Sequence, residues 1–167
     1  MNLKHSTTNK ILSTAAQPRP VEAQYQDEFY RSFCKLAGRG VPISTEWART
    51  NSGRVDFFIP EKKWAVELLR EYDRVDDHIR RFQKGGQYFQ WLEKKDVDDW
   101  IVINCATSVP TSGLFASIFR IFINLADKFI VHDECRLFHA IFLNDFTELH
   151  IFNHKKEILC GPICLTN

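Results

Sequence analysis

Residues 53–91, GRVDFFIPEKKWAVELLREYDRVDDHIRRFQKGGQYFQW, hold the most informative pattern of the chain. Two apolar, β-rich runs, 54–59 and 63–69, flank a Pro-Glu-Lys sequence, which is typical of a β-hairpin. If residues 61 and 62 form its loop, Phe58 pairs with Ala65 and Asp56 with Glu67. The stretch therefore predicts two carboxylates that face each other on adjacent antiparallel strands.

Like charges directly opposite each other in a sheet are destabilising, so the predicted Asp56–Glu67 pair needs a compensating positive charge. A divalent cation held by oxygen ligands is one hypothesis, and an Arg or Lys side chain that reaches the pair is the other. Basic residues are near in sequence, because Arg74, His78 and Arg81 follow the i, i+4, i+7 spacing of one helix face. The alternative role of this stripe is an ordinary solvated helix face.

The sequence on either side predicts the remaining elements. Helical spacing of aromatic residues predicts a helix over 21–36, and Asp73 is the predicted N-cap of a second helix that ends at the Gly85-Gly86 pair. The run WIVINC, residues 100–105, is typical of a central strand buried on both faces. Two more strands are predicted over 136–143 and 149–153, whereas 114–130 suit either a helix or a strand. These elements predict an α/β fold in which a mixed central β-sheet is flanked by helices.

Domain organisation and cellular setting follow from composition. Residues 1–20 are polar and predict a disordered leader or linker, which leaves 21–167 as a single domain. The chain lacks the run of about 20 apolar residues that a membrane span needs, so we expect no membrane partner. Five scattered cysteines predict reduced thiols and an intracellular protein. A zinc site at Cys160 and Cys164 is a less favoured alternative, since it would need further ligands.

The net charge of +1, from 22 Lys and Arg against 21 Asp and Glu, argues against a strong field for nucleic acid over the whole chain. The charge is unevenly distributed, however. Residues 49–95 carry 11 basic and 8 acidic side chains, whereas 96–167 carry 5 and 9. The section that holds the paired carboxylates is therefore basic enough for modest, salt-dependent contact with phosphate.

The same stretch resembles known protein families. An Asp followed by a Glu on the neighbouring strand, over about residues 22–105, resembles the PD-(D/E)XK nuclease superfamily, whose fold is restriction-endonuclease-like. Residues 53–91 look more specifically like the C-terminal effector domain of Crinkler proteins, in which G-R-x-D-F-x-I-P, W-x-V-E-L-L-R, E/D-H-x-x-R-F and G-x-Y recur in that order. The later segments DDWIVINC and RLFHAIFLNDF also resemble that family's pattern.

This resemblance implies a set of site residues. It implies Mg²⁺ bound by Asp56 and Glu67, with Glu28 of the first helix as a third ligand, and an ion that polarises the scissile phosphate. Together with the basic helix stripe, this gives Asp56, Glu67, His78 and Arg81 as the candidate catalytic residues. The residues that would contact nucleic-acid phosphate are Arg74, Arg81 and Lys84.

One position departs from the superfamily pattern, because the expected Lys two residues after Glu67 is Leu69. The sequence therefore leaves two hypotheses about function. The first is Mg²⁺-dependent phosphodiester hydrolysis of nucleic acid, with DNA favoured over RNA. The second is a catalytically inactive pseudo-nuclease that binds protein or nucleic acid, or forms a homodimer through its aromatic-rich second half. As an effector, the domain would act in the nucleus of a host cell, where a host nuclear protein is a further candidate partner.

Overall fold

The computed structural model describes residues 21–38, 40–50, 53–109 and 136–165. The predicted leader, 1–20, and the ambiguous segment 114–130 lie outside these residues. In chain order the elements are α1 (Glu22–Ala37), β1 (Ser44–Thr50), β2 (Gly53–Ile59), β3 (Trp64–Arg70), α2 (Val75–Phe82), α3 (Phe89–Glu93), β4 (Asp99–Ala106), β5 (Leu137–Leu143), β6 (Glu148–Asn153) and β7 (Ile158–Cys164). No helix among these residues has the length and apolarity that a membrane crossing requires.

The described strands form one mixed sheet in which they lie side by side in chain order. Strands β1, β2 and β3 are antiparallel neighbours, and β4 and β5 then continue parallel to β3. Strands β6 and β7 add antiparallel at the far edge. Helix α2 lies in the connection between the parallel strands β3 and β4. The predicted α/β class with a mixed sheet is confirmed.

The helices cover both faces of the sheet because the side chains of β3 alternate between two cores. Val66 and Leu68 pack in one core with Tyr25 of α1, whereas Ala65 and Leu69 pack in the other with α2 and α3. Tyr25 also stacks on Phe142 of β5, with ring centroids 5.6 Å apart. Residue 67 therefore faces the α2 side of the sheet, opposite to α1.

The hairpin has the register that the sequence predicts, since Phe58 pairs with Ala65. Its loop is longer than the predicted two residues, because the last ladder pair is Ile59 with Trp64. The loop prediction is wrong for a physical reason: Pro60 has no N–H to donate to a ladder, and the N–H of Lys62 donates to the Ile59 carbonyl inside the turn.

Other local predictions are corrected as well. Asp73 is not the N-cap of α2, because the cap is Arg74, which has φ of 46° and makes no side-chain capping bond. Strand β7 and helix α3 were not predicted at all. All seven residues of β7 are exposed, and a strand with no buried face need not show the apolar alternation by which strands are predicted. Helix α3 has only five residues, which is too short for a helical repeat of apolar residues to be recognised.

Candidate functional site

The carboxylate of Glu67 lies at the centre of a cluster on the α2 face of the sheet. Glu67 is 2% exposed, because its neighbours on β3 are core residues and α2 covers it. Its Oε2 lies 2.7 Å from His78 Nδ1 and accepts a hydrogen bond from Arg81 Nη1 at 3.4 Å. Its Oε1 is buried and has no hydrogen-bond partner among the described residues. Oε2 is thus paired with side chains of α2, whereas Oε1 is buried without a hydrogen-bond donor.

Tyr88 holds Arg81 in this position. The Tyr88 hydroxyl donates to the Arg54 carbonyl of β2 at 2.6 Å and accepts from Arg81 Nη1 at 3.4 Å. The Arg81 guanidinium also lies over the Tyr88 ring, 5.9 Å from its centroid. Burial first, and then the negative charge of Glu67, raise the pKa of Tyr88 to about 12, so the hydroxyl keeps its proton. Tyr88 therefore links the basic helix to the strand that carries Asp56.

Asp56 lies where the hairpin strands stop pairing through their backbones. The backbone ladder ends at Phe57 and Val66, and Asp56 Oδ2 instead accepts the N–H of Leu68 at 2.7 Å. Burial above all, together with the negative charges of Glu67, Glu22 and Glu46, raises the pKa of Asp56 to about 7, although the Leu68 N–H acts in the opposite direction. The charge of Glu67 thus acts on Asp56, whereas the predicted direct pairing of the two residues lies beyond the last ladder pair.

Glu22 is a carboxylate whose charge acts on Asp56 and which sequence reasoning missed. It is the first residue of α1, and partial burial raises its pKa, with smaller effects from His78, Asp73, Arg70 and Glu67. Its position in the first turn of α1 was the only signal in the sequence. Helix periodicity alone does not distinguish it from the other acidic residues of α1.

Glu28 is the α1 carboxylate that the family resemblance suggests as a ligand, and it is buried. It is 5% exposed and lies one helical turn after Tyr25, on the face of α1 that contacts the sheet. Six residues, or about 9 Å of helix axis, separate it from Glu22. Helix α1 covers the face of the sheet opposite to α2, whereas Glu67 faces α2. A metal-ligand role for Glu28 stays a prediction.

The other predicted phosphate contacts lie outside the Glu67 cluster. Arg74 Nε pairs with Asp73 at 3.5 Å, and its side chain is 66% exposed. Lys84 is exposed just after α2. Leu69, at the position expected to be Lys, is 1% exposed and belongs to the core beneath α2. The cations that reach Glu67 therefore come from α2 and not from its own strand.

A bound metal ion needs several ligands that converge on one point. In the part of the chain that the structure describes, no three His, Cys, Asp or Glu side chains form a ready-made metal-binding group. The two strand carboxylates nevertheless offer the hard oxygen ligands that Mg²⁺ prefers. The unsatisfied Glu67 Oε1 and the raised pKa of Asp56 are both features that a cation would relieve.

Comparison of the chain with protein-family models, with curated proteins and with solved structures finds no match.

Proposed function

We propose that the chain is a nucleic-acid-directed domain of the PD-(D/E)XK fold, of Crinkler type, that hydrolyses phosphodiester bonds with the help of Mg²⁺. The element order supports this fold: a helix, three antiparallel strands, a helix and a parallel strand. The observation that carries the proposal is the buried, unsatisfied Oε1 of Glu67, a residue that lies beneath the basic helix α2 and whose negative charge acts on Asp56.

Each site residue has a role in this function. Asp56 and Glu67 would hold the cation, and Glu22 adds negative charge nearby. The cation would supply charge neutralisation and polarisation of the phosphate. Arg81, whose side chain is 30% exposed, can turn from Glu67 toward a phosphate oxygen. His78 fixes the orientation of Glu67 through Nδ1, which leaves its Nε2 as the nitrogen that can accept a proton.

A cleavage assay tests the proposal. Plasmid DNA, single-stranded DNA and single-stranded RNA would be incubated with the protein in Mg²⁺, in Mn²⁺ and in chelator. We expect cation-dependent cleavage that Asp56→Asn and Glu67→Gln each reduce by at least a hundredfold. Asp98→Asn, a change at an exposed residue just before β4, is the matched control. Cleavage that persists in chelator, or that both site variants retain, would disprove the hydrolytic role.

The contacts of Glu67 also favour a second function, in which the domain binds nucleic acid without cutting it. Oε2 already has a cationic neighbour in Arg81 and a hydrogen-bond partner in His78, and Leu69 replaces the expected Lys. In this case α2 takes the place of the metal. Titration calorimetry distinguishes the two functions: the binding domain gives no heat with Mg²⁺ or Mn²⁺, yet it binds oligonucleotides with an affinity that falls with salt.

Self-association is a form of this second function that has its own structural support. Strand β7 lies at the edge of the described sheet and exposes Ile158, Leu159 and Ile163. Exposed apolar edge strands can pair with another chain. Light scattering of the wild type and of Leu159→Lys tests this: a dimer that the substitution dissociates supports self-association, and a monomeric wild type at high concentration contradicts it.

A further inference from the structure

The turn between β3 and α2 has a backbone conformation that residues other than glycine rarely adopt. The φ angles are 51° at Glu71, 64° at Tyr72 and 46° at Arg74. Left-handed backbone is unfavourable for residues with a Cβ atom, so three such residues within four positions must be held by their surroundings. The contacts that hold this turn come from the end of β4.

Asn104 of β4 supplies the buried part of this support. Its side chain is fully buried, and its Oδ1 accepts the N–H of Tyr72 at 2.8 Å. Its Nδ2 lies 3.3 Å from Nδ1 of His139, which it faces on β5. A buried amide with bonds on both sides has little freedom to move, and an unsatisfied partner would be costly. Asn104 is therefore a rigid anchor for the Tyr72 N–H.

Glu71 adds a second attachment to the same end of β4. Its N–H donates to the Cys105 carbonyl at 2.9 Å, and its carboxylate accepts from the N–H and the hydroxyl of Thr107 at 3.0 and 2.8 Å. The turn is thus attached at two consecutive residues to the strand that runs parallel to β3.

The position of this turn determines what α2 can reach. Arg74, the last left-handed residue, is the N-cap of α2, and its carbonyl accepts the N–H of His78 at 3.1 Å. The His78 ring then lies within 2.7 Å of Glu67. A hydrogen bond of that length does not survive a displacement of 1 Å, so the start of α2 must be set to within a fraction of an ångström.

We propose that Asn104 is a positioning residue of the candidate site. Its bond to the Tyr72 N–H fixes the point at which α2 begins, and that point determines whether His78 reaches Glu67. Asn104 itself does not contact the carboxylate cluster in any hydrogen bond described above. Its importance for cleavage rests on the proposed function, but its effect on the His78–Glu67 contact does not.

The experiment measures that contact directly in the full chain. A carboxylate can only accept, so His78 Nδ1 donates, and its proton should give a downfield NMR signal protected from exchange. Loss of the signal in His78→Gln assigns it. The variants are Asn104→Leu, which removes the acceptor for Tyr72, and Asn104→Asp, which keeps it. Asn153→Leu is the matched control, because Asn153 Oδ1 accepts the N–H of Glu157 at 2.9 Å in the distant β6–β7 turn.

We expect the signal to persist in Asn104→Asp and Asn153→Leu and to disappear from Asn104→Leu under conditions where circular dichroism shows that variant folded. Persistence of the signal in folded Asn104→Leu overturns the proposal, and so does its equal loss in Asn153→Leu. The comparison of NMR signals does not depend on whether the wild type cleaves nucleic acid. Failure of the cleavage assay with an intact signal would remove the proposed function and leave the positioning role of Asn104 in place.

Hydrogen exchange of the wild type gives a second test that does not depend on whether a variant folds. The Tyr72 amide is expected to exchange as slowly as the amides of β4, although it lies in a turn. If it exchanges at the rate of an exposed loop amide, the bond to Asn104 does not hold the turn and the proposal is wrong.

Discussion

His78 Nδ1 and Glu67 Oε2 lie 2.7 Å apart, with side chains that are 12% and 3% exposed. This contact joins the middle of α2 to the strand beneath it, and Arg81 approaches the same oxygen at 3.4 Å. Helix α2 therefore supplies the countercharge that the predicted pair of carboxylates requires. The second oxygen of Glu67 keeps no partner among the described residues, which distinguishes this cluster from an ordinary buried ion pair.

Arg81 and a cation should compete for Glu67. A positive charge within about 4 Å of a carboxylate contributes about 4 kcal/mol at an effective dielectric constant of about 20, before solvent screening of the partly exposed guanidinium. We expect Arg81→Gln to tighten Mn²⁺ binding about 3- to 10-fold in calorimetry and to weaken oligonucleotide binding. Arg80→Gln is the matched control, because Arg80 is exposed and pairs with Asp77. Equal effects of the two substitutions on Mn²⁺ affinity would mean that only net charge matters.

Asp56 should make the protein less stable as pH rises through the weakly acidic range. Its pKa is raised from 3.8 to about 7, mainly by burial and then by Glu67, Glu22 and Glu46. The folded state therefore binds this proton more tightly than the unfolded chain does. The stabilisation is fully present below about pH 4 and is lost as pH approaches about 7, with an upper bound of about 4 kcal/mol.

Urea denaturation at several pH values checks this prediction. We expect Asp56→Asn to flatten the fall in unfolding free energy between about pH 4 and pH 7, because the amide has no proton to lose. Asp98→Asn, which is exposed, serves as the control and should keep the wild-type slope. A cation that binds between the carboxylates should restore stability at pH 8 in the wild type and not in Asp56→Asn. An unchanged slope in Asp56→Asn would contradict the prediction.

Tyr88→Phe should loosen the link between α2 and β2. The substitution removes the hydroxyl that donates to the Arg54 carbonyl and accepts from Arg81, while the ring packing on Phe82 and Trp91 remains. We expect a loss of about 1–2 kcal/mol in unfolding free energy, which is typical of a buried hydrogen bond. Tyr30→Phe, at a residue that is 40% exposed, should cost a few tenths of a kcal/mol at most. Equal costs would show that the Tyr88 hydroxyl has no special role.

Gly86 should not tolerate a side chain. A Cβ atom there would lie 2.0 Å from the Arg80 carbonyl oxygen and 2.6 Å from that of Arg81, and backbone atoms cannot rotate away. We expect Gly86→Ala to cost about 2 kcal/mol or more, because α2 must shift to make room. At Gly40 a Cβ atom would meet nothing within 4 Å, so Gly40→Ala should stay within about 0.5 kcal/mol. Thermal unfolding of the two variants compares them, and similar melting temperatures would contradict this account.

The sequence was sufficient for the elements whose residues interact locally. The two apolar runs around Pro60 predicted the hairpin, and a turn centred between residues 61 and 62 predicted its register, in which Phe58 pairs with Ala65. The predicted pairing of Asp56 with Glu67 lies beyond the last ladder pair, Phe57 with Val66, and the structure shows only that the charge of Glu67 acts on Asp56. The central strand β4 followed in the same way from one continuous apolar run, WIVINC.

Only the tertiary structure determined which charged side chains reach Glu67. Arg74, His78 and Arg81 share one predicted stripe, yet only His78 and Arg81 contact the carboxylate, because Arg74 is the left-handed N-cap and pairs with Asp73. That difference depends on where α2 begins, which Asn104 fixes from a strand that is distant in sequence. Local periodicity describes the faces of a helix, but its placement against the sheet comes from contacts between residues far apart in the chain.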